Sequence, residues 1–161
     1  MQVCKLREYK MSDTLGSLCD KLTIVKLKQW HSEDSERLNS LAIQEKQLQL
    51  EINEFVKDAI AGEIPIEKLV FSANKVFKKK GNYVPDVIGN IGEVFSQLAE
   101  VNCKLWHEQE KVYEFEKVPS TEKDTVVKQL ALLNLQRNNC IDSIDRQFGN
   151  IVKAVNTSIL N

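Results

Sequence analysis

The sequence predicts an all-α fold: a four-helix bundle from a duplicated helical hairpin, with a short extra helix near residues 65–79. Three observations carry this. Apolar residues recur at helical spacing along four long segments, and no alternating strand pattern competes. Helix-breaking residues are scarce, with six glycines and three prolines in 161 residues. Both tryptophans and both histidines occur paired, as Trp30-His31 and Trp106-His107, each pair beginning fourteen residues after a glycine, Gly16 and Gly92.

The elements follow in order. Ser12-Asp13-Thr14 offers an N-cap, and Leu15, Leu18, Leu22 and Val25 carry a first helix that ends around residues 30–33. Residues 32–35 read as a turn that also caps the next helix. Helix two is expected over residues 34–61, with the stripe Leu38, Leu41, Glu45, Leu48, Ile52, Phe55 and Ala59, and Gly62 stops it. Pro65 suits the first turn of the short amphipathic helix over 65–79, and residues 81–85 form the clearest linker. Helix three is expected over 86–117, with Ile91, Val94, Leu98, Val101 and Leu105 inward. Pro119 interrupts the pattern. Helix four, over 121–157, carries Leu130, Leu133, Arg137, Ile141, Ile144, Phe148, Ile151 and Val155. An offset of 76 pairs helix one with helix three. An offset of 92 pairs Leu41, Leu48 and Ile52 with Leu133, Cys140 and Ile144. Residues 13–157 therefore read as one domain after a 1–12 extension.

Net charge is −1, from 22 basic and 23 acidic residues. That balance gives no reason to expect nucleic acid. The one basic run, Lys78-Lys79-Lys80, sits where cations favour a helix end. Four scattered cysteines without a C-x-x-C spacing suggest free thiols in a reduced, cytoplasmic setting rather than a zinc cage. The first ten residues lack a signal-peptide core, and no run approaches a membrane span, so no membrane insertion is expected.

Polar residues inside the pattern are the candidates for chemistry. Glu45 and Arg137 correspond at the 92-residue offset, and each interrupts an apolar stripe. A buried charge needs a partner, so one expectation is a Glu45–Arg137 salt bridge, or a pairing with another inward acid such as Glu110; the other is that both side chains reach out past the stripe edge. His31 and Asp34 are spaced i, i+3, as are His107 and Glu110. Together they are metal-ligand candidates, although the order differs from the Glu-x-x-His pattern of di-iron bundles, and such pairs also occur on solvated faces. Asn134, Asn138, Asp142 and Asp145 form a polar stripe beside the apolar one on helix four. With Trp106 as a stacking plane they could wall a small-ligand cleft, or they could be a solvated shoulder. No phosphate loop or nucleophile motif is present, and no cofactor is implied.

Leu105-Trp106-His107-Glu108-Gln109-Glu110, then Lys128, Leu133-Asn134, Arg137-Asn138, Ile141-Asp142 and Ile144-Asp145, resembles the motifs of a bacterial helical family classed as a domain of unknown function. That family is often encoded beside genes for lipopolysaccharide and other surface glycans. Leu18-Cys19-Asp20-Lys21-Leu22-Thr23-Ile24 is similar to the opening of a related family. Gln109 and Asn139 stand where those motifs carry acids. The resemblance implies a helical protein tied to surface-polysaccharide biosynthesis and supplies no activity. Two functions follow as expectations. One is a non-catalytic binding or assembly protein, with a homodimer, a protein partner or a small sugar-type ligand. The other is an enzyme acting on a small sugar or phosphorylated ligand, with His107 as acid/base, Arg137 as anion holder, and Glu110, Asn138, Asp142 and Asp145 completing the site.

Overall fold

The computed structural model describes residues 12–71 and 84–159. They form four helices: α1 Leu15–Trp30, α2 Ser35–Ile60, α3 Ile91–Tyr113 and α4 Lys123–Ile159, with no strand among the described residues. Each start has a local chemical cause. Thr14 and Ser17 make reciprocal capping bonds at α1, the Asp34 carboxylate accepts from the Arg37 N–H at α2, and Asn90 with Glu93 does the same job reciprocally at α3.

The helices run up, down, up, down. α3 packs most extensively on α4, α2 on α1, and α1 lies against α4, while α2 and α3 barely meet. Leu18, Leu48, Phe55, Leu98, Cys140, Ile144 and Phe148 belong to one continuous buried cluster. Phe55 and Phe148 meet with ring centroids 6.0 Å apart, joining α2 to α4. The α1–α4 contact is tight because Gly16 lacks a side chain. A Cβ there would lie 2.6 Å from the Ile141 carbonyl oxygen. Its sequence counterpart Gly92 is exposed, and the atom nearest to a Cβ there would be Asn90 Oδ1, at 3.6 Å. The corresponding glycines of the two halves thus sit in different packing.

Three sequence expectations are corrected. α3 begins at Ile91 rather than 86, because Gly89 adopts φ +115 and Asn90 caps the helix behind it. It ends at Tyr113, and Phe115–Lys117 continue as a 310 turn. The helix expected over 65–79 is, in its described part, only a 310 turn at Ile66–Lys68 followed by non-helical residues 69–71; residues 72–79 lie outside the described residues. In an α-helix, residues five apart point about 140° away from each other. This segment instead sends both Ile64 and Leu69 into the core. On α4 the stripe reaches solvent at Ile151, 48% exposed, and the buried residue is Val152.

No helix of the described residues is long and apolar enough to cross a membrane.

Candidate functional site

The most buried polar chemistry lies between α1, α3 and α4. Asp20 is 4% exposed. Its Oδ1 accepts from Arg137 Nε at 2.8 Å and from Asn102 Nδ2 at 2.9 Å, and its Oδ2 accepts from a terminal nitrogen of the same guanidinium. Asn102 Nδ2 also donates to Thr23 Oγ1 at 2.7 Å, and Thr23 donates onward to the Asp20 carbonyl at 2.8 Å. The two-pronged fork matches the carboxylate plane, the geometry in which an Arg–carboxylate pair is strongest. The hydrogen bond to Asp20 further secures the Arg137 charge.

This arrangement overturns the expected Glu45–Arg137 bridge. Glu45 Oε1 accepts from Lys26 Nζ at 3.1 Å and its Oε2 from Gln29 Nε2 at 2.9 Å, all at the rim of the α1–α2 contact. The inward acid that Arg137 needed is Asp20. Sequence reasoning passed over it because it stands beside Cys19, one position off the stripe. The only signal was a charge, Asp20, falling four residues after Gly16 on the face that approaches α4. Asn102 was passed over likewise, although it falls four residues after the stripe residue Leu98.

At one end of the bundle the two indole-imidazole dipeptides converge. His31 stacks on Trp106 with centroids 4.7 Å apart, and meets His107 edge-on at 6.4 Å. Trp106 Nε1 donates to Glu110 Oε1 at 2.8 Å, and Glu110 Oε2 lies 3.5 Å from His107 Nδ1. Trp30 points away and is 84% exposed. Asp34, the fourth metal-ligand candidate, is occupied in capping α2. Among the described residues no group of three or more His, Cys, Asp or Glu is placed to hold a metal ion. The expected catalytic trio therefore divides: His107 pairs with Glu110 at the surface, whereas Arg137 is held by Asp20 inside.

The polar stripe of α4 divides too. Asn134 folds back on the Leu130 carbonyl of its own helix at 3.0 Å, and Asn138 is half-buried. Eleven residues of helix separate Asn134 from Asp145, about 16 Å along the axis, too far for one small-ligand wall. Asp142 and Asp145 do share a cleft of about 410 Å³ with Ser12, Asp13, Thr14, Ser17, Phe71 and Ile141. Asp145 is 3% exposed, and its Oδ1 accepts from the Gly16 N–H at 2.7 Å in the first turn of α1. Burial pushes its carboxyl up to about 6. The Asp142 charge adds to that, and hydrogen bonds from Thr14 and Gly16 oppose it. At the cleft rim, Asp13 is held below its usual range: burial acts to raise it, and hydrogen bonds from Lys21 and Ser17 outweigh that.

Cys19 and Cys140 are buried packing residues, whereas Cys103 is exposed. Burial, with Asp145 and Asp20 nearby, pushes the Cys19 thiol up to about 12, and burial alone pushes Cys140 to about 11. Neither is a nucleophile near neutral pH.

Comparison with family models, with curated proteins and with solved structures yields no match to this chain.

Proposed function

We propose that this bundle is a non-catalytic binding and assembly protein whose α1–α2 hairpin receives a further helix, a second copy of the chain being the simplest source. The observation that carries this reading is on α2. Ile43 and Leu50, seven residues apart and so on one helix face, are 69% and 62% exposed. Among the described residues α2 packs chiefly on α1, with a smaller contact to α4. A face of that kind suits an added helix with matching apolar spacing. The surface-polysaccharide setting rests on the sequence resemblance alone. The test is sedimentation of the full chain against an Ile43→Glu/Leu50→Glu variant. A dimer for the parent and a monomer for the variant supports the reading. A parent that stays monomeric to high micromolar concentration removes the self-association.

A second reading, an enzyme or receptor for a small hydroxylated ligand, is favoured by one observation: the Asp142–Asp145 cleft has room and two carboxylates beside Thr14 and Ser17. A thermal-shift screen of neutral sugars tests it. A ligand at 100 times its Kd adds about 2.7 kcal/mol to stability.

A further inference from the structure

Toward the C-terminal end of α4, remote from the aromatic cluster, lies a second concavity, of about 480 Å³. Arg146, Asn150 and Lys153, spaced i, i+4, i+7, line one side of it. Ile66, Glu67 and Val70 line the other. The wall is anchored by Ile64, which precedes it, and by Leu69, which lies within it beside Val70; they are 2% and 0% exposed in the core. The floor is backbone: Gly149 has no side chain, and a Cβ there would come within 3.2 Å of Val70 Cγ2.

Arg146 and Lys153 are both exposed, and among the described residues the side chains of Arg146, Asn150 and Lys153 make no ion pair or hydrogen bond. Seven residues place the two cations about 10 Å apart along the axis, so both long side chains reach a common anion between them. A guanidinium grips phosphate with two parallel bonds, and an ammonium adds a point charge. The remaining surface is half polar and half apolar: the Asn150 amide and Glu67 carboxylate suit hydroxyls, and Ile66 and Val70 suit the face of a small body. The volume is that of a small-molecule site. Glu67 within it opposes a long polyanion.

We infer that this groove binds a phosphate ester with a small hydroxyl-bearing body, the phosphate between Arg146 and Lys153. The site is separate from the α2 face and from the Asp142–Asp145 cleft, so it stands or falls independently of either reading above.

The experiment is an amide-resolved NMR titration of the full chain with glucose 6-phosphate, inorganic phosphate, glucose and a short poly-glutamate peptide. Parallel titrations use an Arg146→Gln/Lys153→Gln variant. Both side chains are solvent-facing, and a circular dichroism melt confirms that the variant folds. The expected result is saturable shifts confined to residues 66–70 and 146–153 with glucose 6-phosphate. Phosphate alone binds more weakly, glucose does not bind, and the variant loses about tenfold or more in affinity. Shifts spread over the lysine-bearing surface, or equal binding by the variant, overturn the site. Equal binding of free phosphate overturns the ester, and preferential binding of the peptide overturns the small-ligand assignment.

Discussion

His31 lies flat against Trp106, with ring centroids 4.7 Å apart and ring planes 13° from parallel. Trp30, its sequence neighbour, is 84% exposed. The turn after α1 thus commits one ring of the dipeptide to the bundle and leaves the other in water. His31→Ala should cost about 0.5–1 kcal/mol, most of it as coupling to Trp106, the scale of an aromatic pair. Trp30→Ala should leave the unfolding free energy within about 0.5 kcal/mol of the parent, as expected for an exposed side chain. Urea titrations of Trp30→Ala, His31→Ala, Trp106→Ala and the double variant His31→Ala/Trp106→Ala measure both. Equal losses at positions 30 and 31 would contradict the stack.

Arg137 and Asp20 are joined by two charge-assisted hydrogen bonds, with the carboxylate side chain 5% exposed and the guanidinium 31%. Removing the cation alone strands a buried carboxylate beside a single amide. Arg137→Leu should therefore cost about 3 kcal/mol, tempered by the partial exposure of the arginine. Asp20→Leu/Arg137→Leu should recover much of the loss, because no charge is then left unpaired. Glu45→Leu, in contrast, should not couple to Arg137. A double-mutant cycle in urea reads the coupling. Additive losses at 20 and 137 would show that the pair carries no net interaction.

The contrast between these positions explains what was legible in the sequence. The apolar stripes of α1, α2 and α3 were readable because helical periodicity is local: Leu18, Leu41, Leu48, Phe55 and Leu98 are buried where their spacing puts them. The expected extra helix departs from the structure over residues 65–71, the part that lies within the described residues, because Ile64 and Leu69 are drawn to the same core from a non-helical backbone, a tertiary effect that overrides pattern. On α4 the same periodicity, run over 37 residues, drifted by one position at Ile151. The partner of Arg137 was beyond reach for another reason. Which acid faces it depends on how far α1 and α4 slide past one another, and the close approach of Gly16 to Ile141 sets that offset. Asp145 appeared on the polar stripe of α4 as a ligand candidate. Its role in satisfying the α1 N-terminus follows from the same offset.

Gly16 and Gly92 correspond in sequence and differ in surroundings, so alanine separates them. At position 16 the new Cβ meets the Ile141 carbonyl oxygen at 2.6 Å and Asp145 Oδ1 at 2.9 Å. Backbone cannot yield cheaply, so α1 would have to move off α4, at a cost of about 2–3 kcal/mol. At position 92 nothing closer than Asn90 Oδ1, at 3.6 Å, obstructs the Cβ. Within a helix, Gly→Ala there should stabilise by a few tenths up to about 1 kcal/mol. Thermal and urea melts of the two variants should move in opposite directions. A stable Gly16→Ala would mean that the α1–α4 contact is looser than described.

Asp145 should make stability fall as pH rises through the mildly acidic range. Its carboxyl is raised to about 6 in the folded protein, chiefly by burial, against a usual value near 3.8. Between those two values the folded chain holds a proton that the unfolded chain has released, so folding is favoured below the lower value and loses that advantage as pH climbs past the upper one. A shift of about two units corresponds to about 2–3 kcal/mol at most. Other groups face it: Asp142 on its own helix, and Asp13, Thr14 and Cys19 from the α1 side. Asp13 works in the opposite sense, because its lowered carboxyl supports folding above about pH 4 and withdraws that support below it. The window that isolates Asp145 is therefore about pH 4.5 to 7. Asp145→Asn keeps an oxygen for the Gly16 N–H while removing the titration. It should flatten the profile in that window and raise stability at pH 7 relative to the parent. Urea unfolding at half-unit pH steps measures it, and parallel profiles for parent and variant would remove Asp145 as the source.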